Sequence, residues 1–310
     1  MGSSRTGPVS VTVPPRAVTV TVPATSANLG PGFDALGLAL SLVDEVMVEI
    51  ATGGVGPDLT IEVAGEGADE VPRDESHLVV RALLATCAHI GAPRPRLVLR
   101  CTNRIPHGRG LGSSAAATVA GVLAARTLVA PDLDDAGVLV LATEIEGHPD
   151  NAAACLLGGL TIAWGEAAGV RATRLEPVAG LRATLLVPGA GLSTQSARGM
   201  LPATVPHADA AHSAGRAALL VHALTSRPDL LLTATEDRLH QQYRARAMPE
   251  TATLVASLRA RGVAAVVSGA GPSVLALTTG APVELPDSAK GWSVLDLMVA
   301  AEGGAVSDTS

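Results

Sequence analysis

The sequence predicts an α+β protein built as two layered domains, on three observations. Segments of alternating β-branched residues are interleaved in irregular order with segments of helical apolar spacing. The chain has 310 residues, more than one hydrophobic core usually serves. A turn rich in glycine and serine, Arg104-Ile-Pro-His-Gly-Arg-Gly-Leu-Gly-Ser-Ser114, joins a strand-like segment to a helix-like one.

Taken in order, residues 17–22 alternate in the manner of a strand, and turn chemistry fills 23–34 before an apolar run to Val43. Strands are expected at 46–51 and 59–63. Ser76 is placed to cap a helix over 78–90. Residues 97–102 form a strand that feeds the glycine turn. A helix over 115–129 follows, with Ser113 and Ser114 as its caps. Residues 135–146 read as helix and 158–164 as strand. A second block opens with a strand at 182–187. It continues with helices at 208–225, 229–243 and 250–261, then strands at 264–268 and 274–278 around Gly269-Ala-Gly-Pro-Ser273.

Composition narrows the function. Hydrophobic residues make up 47% of the chain and aromatics only 1%, so the core must be built from Ala, Val and Leu. A net charge of −7 and the lack of stacking rings argue against a nucleic-acid partner. No apolar run reaches the roughly 18 residues that would span a bilayer, so no membrane partner is expected. Cys87, Cys101 and Cys155 are odd in number, widely spaced and set among apolar residues, which fits thiols in a reducing cytoplasm rather than a disulfide or zinc framework.

Glycines 108, 110 and 112 let successive amides turn toward one anion, and Ser113 and Ser114 lead into a helix whose N-terminus favours negative charge. Such a loop suits a polyphosphate. It lacks the Gly-Lys-Ser/Thr ending of a Walker loop, and the only lysine is Lys290. Its glycine spacing is not that of a dinucleotide fingerprint either.

Four segments together resemble one family, the GHMP small-molecule kinases, in the form found among homoserine kinases. They are residues 23–38 (Pro-Ala-Thr-Ser-Ala-Asn-Leu-Gly-Pro-Gly-Phe-Asp-Ala-Leu-Gly-Leu), the loop 108–116, Glu146-Gly-His-Pro-Asp-Asn151, and Ser268-Gly-Ala-Gly-Pro-Ser273. The resemblance runs from about residue 17 to 305. It implies a ribosomal-S5-like ATP-binding domain over 17–180, after a disordered 1–16, and a ferredoxin-like C-terminal domain over 181–310. It also implies transfer of the ATP γ-phosphate to the side-chain hydroxyl of L-homoserine, as in threonine biosynthesis, with Mg²⁺ as cofactor, in a cytoplasmic enzyme that could be a homodimer.

By the same resemblance, His77, Pro106, Gly108, Arg109, Gly110, Leu111, Gly112, Ser113, Ser114, Ala115 and Gly271 contact the nucleotide. Ser114 and Glu146 hold the metal. Thr194, Arg198 and Arg244 grip the substrate carboxylate, Asp34 meets its ammonium, and His148 lines the pocket. Asn28 and Asn151 sit at the reacting hydroxyl, with no side-chain base, so the proton passes to the γ-phosphate. Bland readings stand beside each role: Asn28 and Asp34 as turn residues, Glu146 as a solvated carboxylate, the arginines as surface charges. The sequence reads His240-Gln-Gln-Tyr-Arg244 where a Glu-Pro pair is common in the family, and His77 stands where an asparagine is common. Rival readings are a mevalonate- or sugar-type kinase of the same family, and a non-catalytic ligand-binding member.

Overall fold

The computed structural model describes residues 16–51, 57–167, 169–280 and 282–308. The segment expected to be disordered lies outside them, apart from Arg16. Two sheets organise the chain. The first contains β1 (Ala17–Ala27), β2 (Leu36–Ile50), β3 (Leu59–Gly65), β4 (Leu97–Asn103), β5 (Leu160–Glu166) and β6 (Gly169–Leu175). Its helices are α1 (Leu78–His89), α2 (Ser113–Val129), α3 (Asp135–Glu146) and α4 (Asp150–Leu157). The second sheet begins with β7 (Leu181–Val187). Helices α5 (Thr194–Arg198), α6 (His207–Thr225), α7 (Leu231–Ala234), α8 (Gln241–Arg244) and α9 (Pro249–Ala260) follow, then β8 (Ala264–Val267), β9 (Val274–Thr279) and β10 (Ser293–Met298). The last strand, β11 (Ala305–Asp308), returns to the first sheet.

The first sheet runs β11-β1-β2-β4-β3, with β5 also on β2 and β6 on β5. Among the described residues only β3 and β4 are parallel, and α1 is the crossover that joins them. The second sheet, β10-β7-β9-β8, is antiparallel throughout. Helix α2 lies against β1 and between α1 and α3, and nearly every side chain from Ala115 to Ala125 is buried. Small alanines let these helices approach closely, so the core needs no aromatic filler.

Several expectations change. The apolar run to Val43 and the strand at 46–51 are one continuous strand, β2, which holds both β5 and β4 on one side by switching partner along its length. Ser76 does not cap α1, because its hydroxyl donates to Asp74 Oδ1 at 2.6 Å. Ser113 and Ser114 are not caps either: they are the first helical residues, and Gly112 is the N-cap in a left-handed conformation. The helix expected over 229–243 is broken, since Asp237 accepts from the amides of Leu239, His240 and Gln241 and starts a new turn there. β11 pairs Val18 with Asp308, so the chain's end leaves the 181–310 unit drawn from sequence. Among the described residues no helix is long and apolar enough to cross a membrane.

Candidate active site

The cleft lies where the turn after β1, the N-terminus of α2, the loop after β7 and the turn between β8 and β9 converge. Its wall on the side of α2 is main chain. Gly108, Gly110 and Gly112 all have φ between 63° and 73°. A Cβ at Gly110 would sit 2.2 Å from the Ser268 carbonyl oxygen and 2.9 Å from that of Gly271; one at Gly112 would sit 1.9 Å from Thr25 Oγ1. Glycine is therefore required at both places. The Ser268 hydroxyl donates to Gly110 O at 2.7 Å, and the Thr25 amide donates to Leu111 O at 3.0 Å, so two distant segments brace the loop. Among the described residues no side chain caps α2, which leaves its first amides, at Ser113, Ser114 and Ala115, free for an anion. Leu111 is buried in the cleft wall.

Beside that helix end, Glu146 accepts from the hydroxyls of Ser114 and Thr118, each at 2.7 Å. These hydroxyls are one turn apart on α2. Glu146 is the last residue of α3, where the negative end of the helix dipole adds to its own charge. Two hard oxygens with a local excess of negative charge suit Mg²⁺, which takes one or two protein ligands and completes its shell with phosphate and water. Among the described residues there is no cluster of three or more His, Cys, Asp or Glu that would form a cage for a metal.

A second hollow continues from this point. Ser113 and Ser114 line both it and the cleft, and Val22, Val46, Val79 and His77 make its far walls. His77 is 5% exposed, and among the described residues its Nδ1 has no hydrogen-bond partner. Burial, with Arg73 and His107 nearby, lowers its pKa, which favours the neutral ring. Asp44 also lines this hollow, and its carboxylate accepts from the amides of Arg104 and Ile105 to fix where the loop begins.

The opposite end of the cleft is built from side chains. Arg198 forks onto Asp34 through bonds of 3.1 and 2.6 Å, which raises the guanidinium's pKa. Arg244 is 1% exposed yet opens onto the same cavity; burial and then Arg198 lower its pKa. The ring of Phe33 lies beneath both, 5.7 Å from one Cζ and 5.6 Å from the other. Asn28 lines the cavity, but both ends of its amide are engaged: it accepts from the Asp34 amide at 3.0 Å and donates to Gly269 O at 2.9 Å. Asp150 is 1% exposed and binds His148 Nδ1 at 3.0 Å, the main cause of that histidine's raised pKa. Asn151 is oriented by the Thr25 hydroxyl, which donates to its Oδ1 at 2.8 Å.

The structure thus brings Asn28, Gly108, Gly110, Leu111, Gly112, Ser113, Ser114, His148, Asn151, Arg198 and Arg244 to one cavity. The Arg109 side chain is elsewhere, donating to the carbonyls of His107, Pro188 and Gly189 and so tying the loop to the end of β7. Gly271 stands behind Gly110 as a support, and Pro106 is half-buried outside both hollows. Thr194 opens α5, but its side chain lies outside the described residues.

Residues 77–159 match the N-terminal domain of GHMP kinases, and residues 215–287 match their C-terminal domain. A homoserine kinase of Streptomyces avermitilis is 56% identical over 295 residues, covering 94% of this chain and 95% of that protein. The chain belongs to the GHMP kinase family, among its homoserine kinases. One from Streptomyces coelicolor is 59% identical over 84% of both chains. The crystal structure of homoserine kinase from Cytophaga hutchinsonii superposes with a TM-score of 0.79 at 26% identity, over 98% of this chain and all of the other. A mevalonate diphosphate decarboxylase from Staphylococcus aureus, at 15% identity and TM-score 0.68, shares the fold.

Four residues of this GHMP kinase site escaped the sequence reading: Thr25, Asp44, Thr118 and His240. Thr118 carried a usable signal, since it stands four residues after Ser114 on one helical face. The others act across 60 residues or more and leave no local pattern.

Proposed function

We propose that this cleft phosphorylates the side-chain hydroxyl of L-homoserine with ATP, giving O-phospho-L-homoserine. The observation that carries the reading is that the open amides of α2 and the Arg198–Arg244 pair face one cavity. A polyphosphate at one end and an amino-acid carboxylate at the other would leave the side-chain hydroxyl between them.

Arg198 and Asp34 are paired with each other in this structure. A zwitterion carries both missing partners, so it can take the place of each: its carboxylate meets Arg198 and Arg244, and its ammonium meets Asp34. An alcohol lacking either charge would strand one of them. The α2 amides take the β- and γ-phosphates, and His77 faces the nucleoside. Ser114 and Glu146 would hold Mg²⁺, which when bound neutralises phosphate charge.

In this reading Asn151, oriented by Thr25, faces the reacting hydroxyl. Asp150 holds His148 and caps the Asn151 amide, so its buried carboxylate is occupied in orienting neighbours. The catalytic contribution is therefore positioning and electrostatics, with the proton passing to the γ-phosphate. Activity in an Asp150→Asn enzyme with an unchanged pH–rate limb is the expected result; inactivation with intact folding would make Asp150 the base. The three unpaired buried thiols, with Cys101 pushed up to about 12 by burial, fit a cytoplasmic enzyme.

A coupled assay for ADP release with homoserine, mevalonate and galactose tests the substrate. Turnover with homoserine alone is expected. Turnover of either other alcohol without homoserine would overturn the reading.

A further inference from the structure

A guanidinium set as deep as that of Arg244 is useful only if its plane is fixed. Its Nε donates to Ala197 O at 3.2 Å, and its Nη1 donates to Gly269 O at 3.3 Å and to His240 Nδ1 at 3.1 Å. Among the described residues, no hydrogen bond engages Nη2. The two carbonyl bonds are long. The contact with His240 is the one made to a side chain that is itself held on every side.

His240 is fully buried, and its Nε2 lies 2.8 Å from the Gly30 carbonyl oxygen. A carbonyl can only accept and a guanidinium can only donate, so the ring must carry its proton on Nε2 and offer a lone pair at Nδ1. Burial lowers the ring's pKa and Arg244 pushes the same way, against Asp237. The ring plane is tilted 31° to Phe33, with centroids 5.2 Å apart. Its backbone amide donates to Asp237, whose carboxylate also gathers the amides of Leu239 and Gln241. His240 therefore links three parts of the pocket: the Gly30 turn, the Phe33 ring and the buried arginine.

Building on the proposed substrate, we propose that His240 is a positioning residue that aims Arg244 at the substrate carboxylate and so sets the preference for carboxylate-bearing alcohols. A ring that merely fills space would affect folding and both substrates together. An aiming ring affects one charge on one substrate.

The test compares L-homoserine with L-homoserinamide, which keeps the ammonium and hydroxyl but has no carboxylate charge, by calorimetric binding and by turnover. His240→Gln retains a donor for Gly30 but offers no acceptor at the Nδ1 position; His240→Asn keeps that acceptor and cannot reach Gly30. In His240→Gln, homoserine binding and its KM should weaken by about tenfold, the loss of one charge-assisted contact. Homoserinamide binding, the KM for ATP and kcat should stay within about twofold, and His240→Asn should recover most of the loss. Equal weakening of both ligands, or no weakening of homoserine in a folded variant, overturns the proposal. Should His240→Gln fail to fold, His240→Asn decides: wild-type discrimination between the ligands supports the proposal, and lost discrimination overturns it. Because binding is measured without ATP, wild-type discrimination without phosphate transfer would count against the kinase reading and leave the role of His240 standing.

Discussion

The end of the cleft at the N-terminus of α2 is made of main chain, whereas the arginine end is made of side chains held by other side chains. At the first, three left-handed glycines expose amides; Gly110 packs against the backbone carbonyls of Ser268 and Gly271, and the Ser268 hydroxyl and the Thr25 amide brace the loop. At the second, Asp34, Arg198, Arg244, His240 and Phe33 come from two turns and two short helices. The difference has a physical reason. Every triphosphate presents the same oxygens, which amides can serve without any special side chain. A zwitterion presents two opposite charges at fixed separation, which requires opposite charges held apart. Substitution should therefore act on the first end through space and on the second through charge.

The largest expected effect comes from adding a single methyl group at the main-chain end. Gly110→Ala puts a Cβ against two carbonyl oxygens that cannot swing aside, and kcat/KM for ATP should fall on the order of 1000-fold, about 4 kcal/mol. Steady-state kinetics beside a melting curve would check it, and retention of a tenth of the activity would break the contrast. Next, Glu146→Gln keeps the shape and removes the charge beside Ser114. Its kcat should drop by about 100-fold, with a higher Mg²⁺ requirement on titration.

A smaller loss is expected at the side-chain end. Arg198→Lys preserves charge but not the fork onto a carboxylate, so the homoserine KM should rise by about tenfold while the ATP KM holds. A matching rise in both would show that the two ends are not separable.

The smallest effect is on stability. Asp150 raises the pKa of His148 above its ordinary value of 6.5, so the pair's contribution is fully present below that value and is lost as pH rises through the folded pKa. Asp150→Asn should therefore lower the melting temperature by a few degrees near pH 5.5, and by less near pH 8.5. An equal decrease at both pH values would remove the charge from the explanation.

The same contrast governs what could be read from the sequence. The phosphate loop was legible because its chemistry is local: glycines that free the backbone, then a helix. Both ends of α3 fall at the bounds read from the sequence, 135 and 146; the Asp134 carboxylate caps the start and left-handed Gly147 closes it. Reading failed where a polar side chain chose a different local partner. Ser76 turned to Asp74, and Asp237 captured three amides and broke the helix expected over 229–243. The exposed strands β6 and β10 carry little apolar alternation, so neither was seen. Arg198 and Arg244 could be named only through resemblance, since nothing near them in sequence says that Phe33 will come to lie beneath both.

The return of β11 to the first sheet ties the two halves of the chain together a second time. Two strands of chain pass between the halves, one after β6 and one after β10. The second is fastened on arrival by Ala300 to Ala39 and Gly159, and by Gly304 to Cys155. Besides these two crossings, one apolar core runs from Val18 through Leu185 to Leu277, so the halves share side chains as well as chain. Removing residues 301–308 should therefore strip the first sheet of its edge partner at Val18–Thr21 and lower the melting temperature.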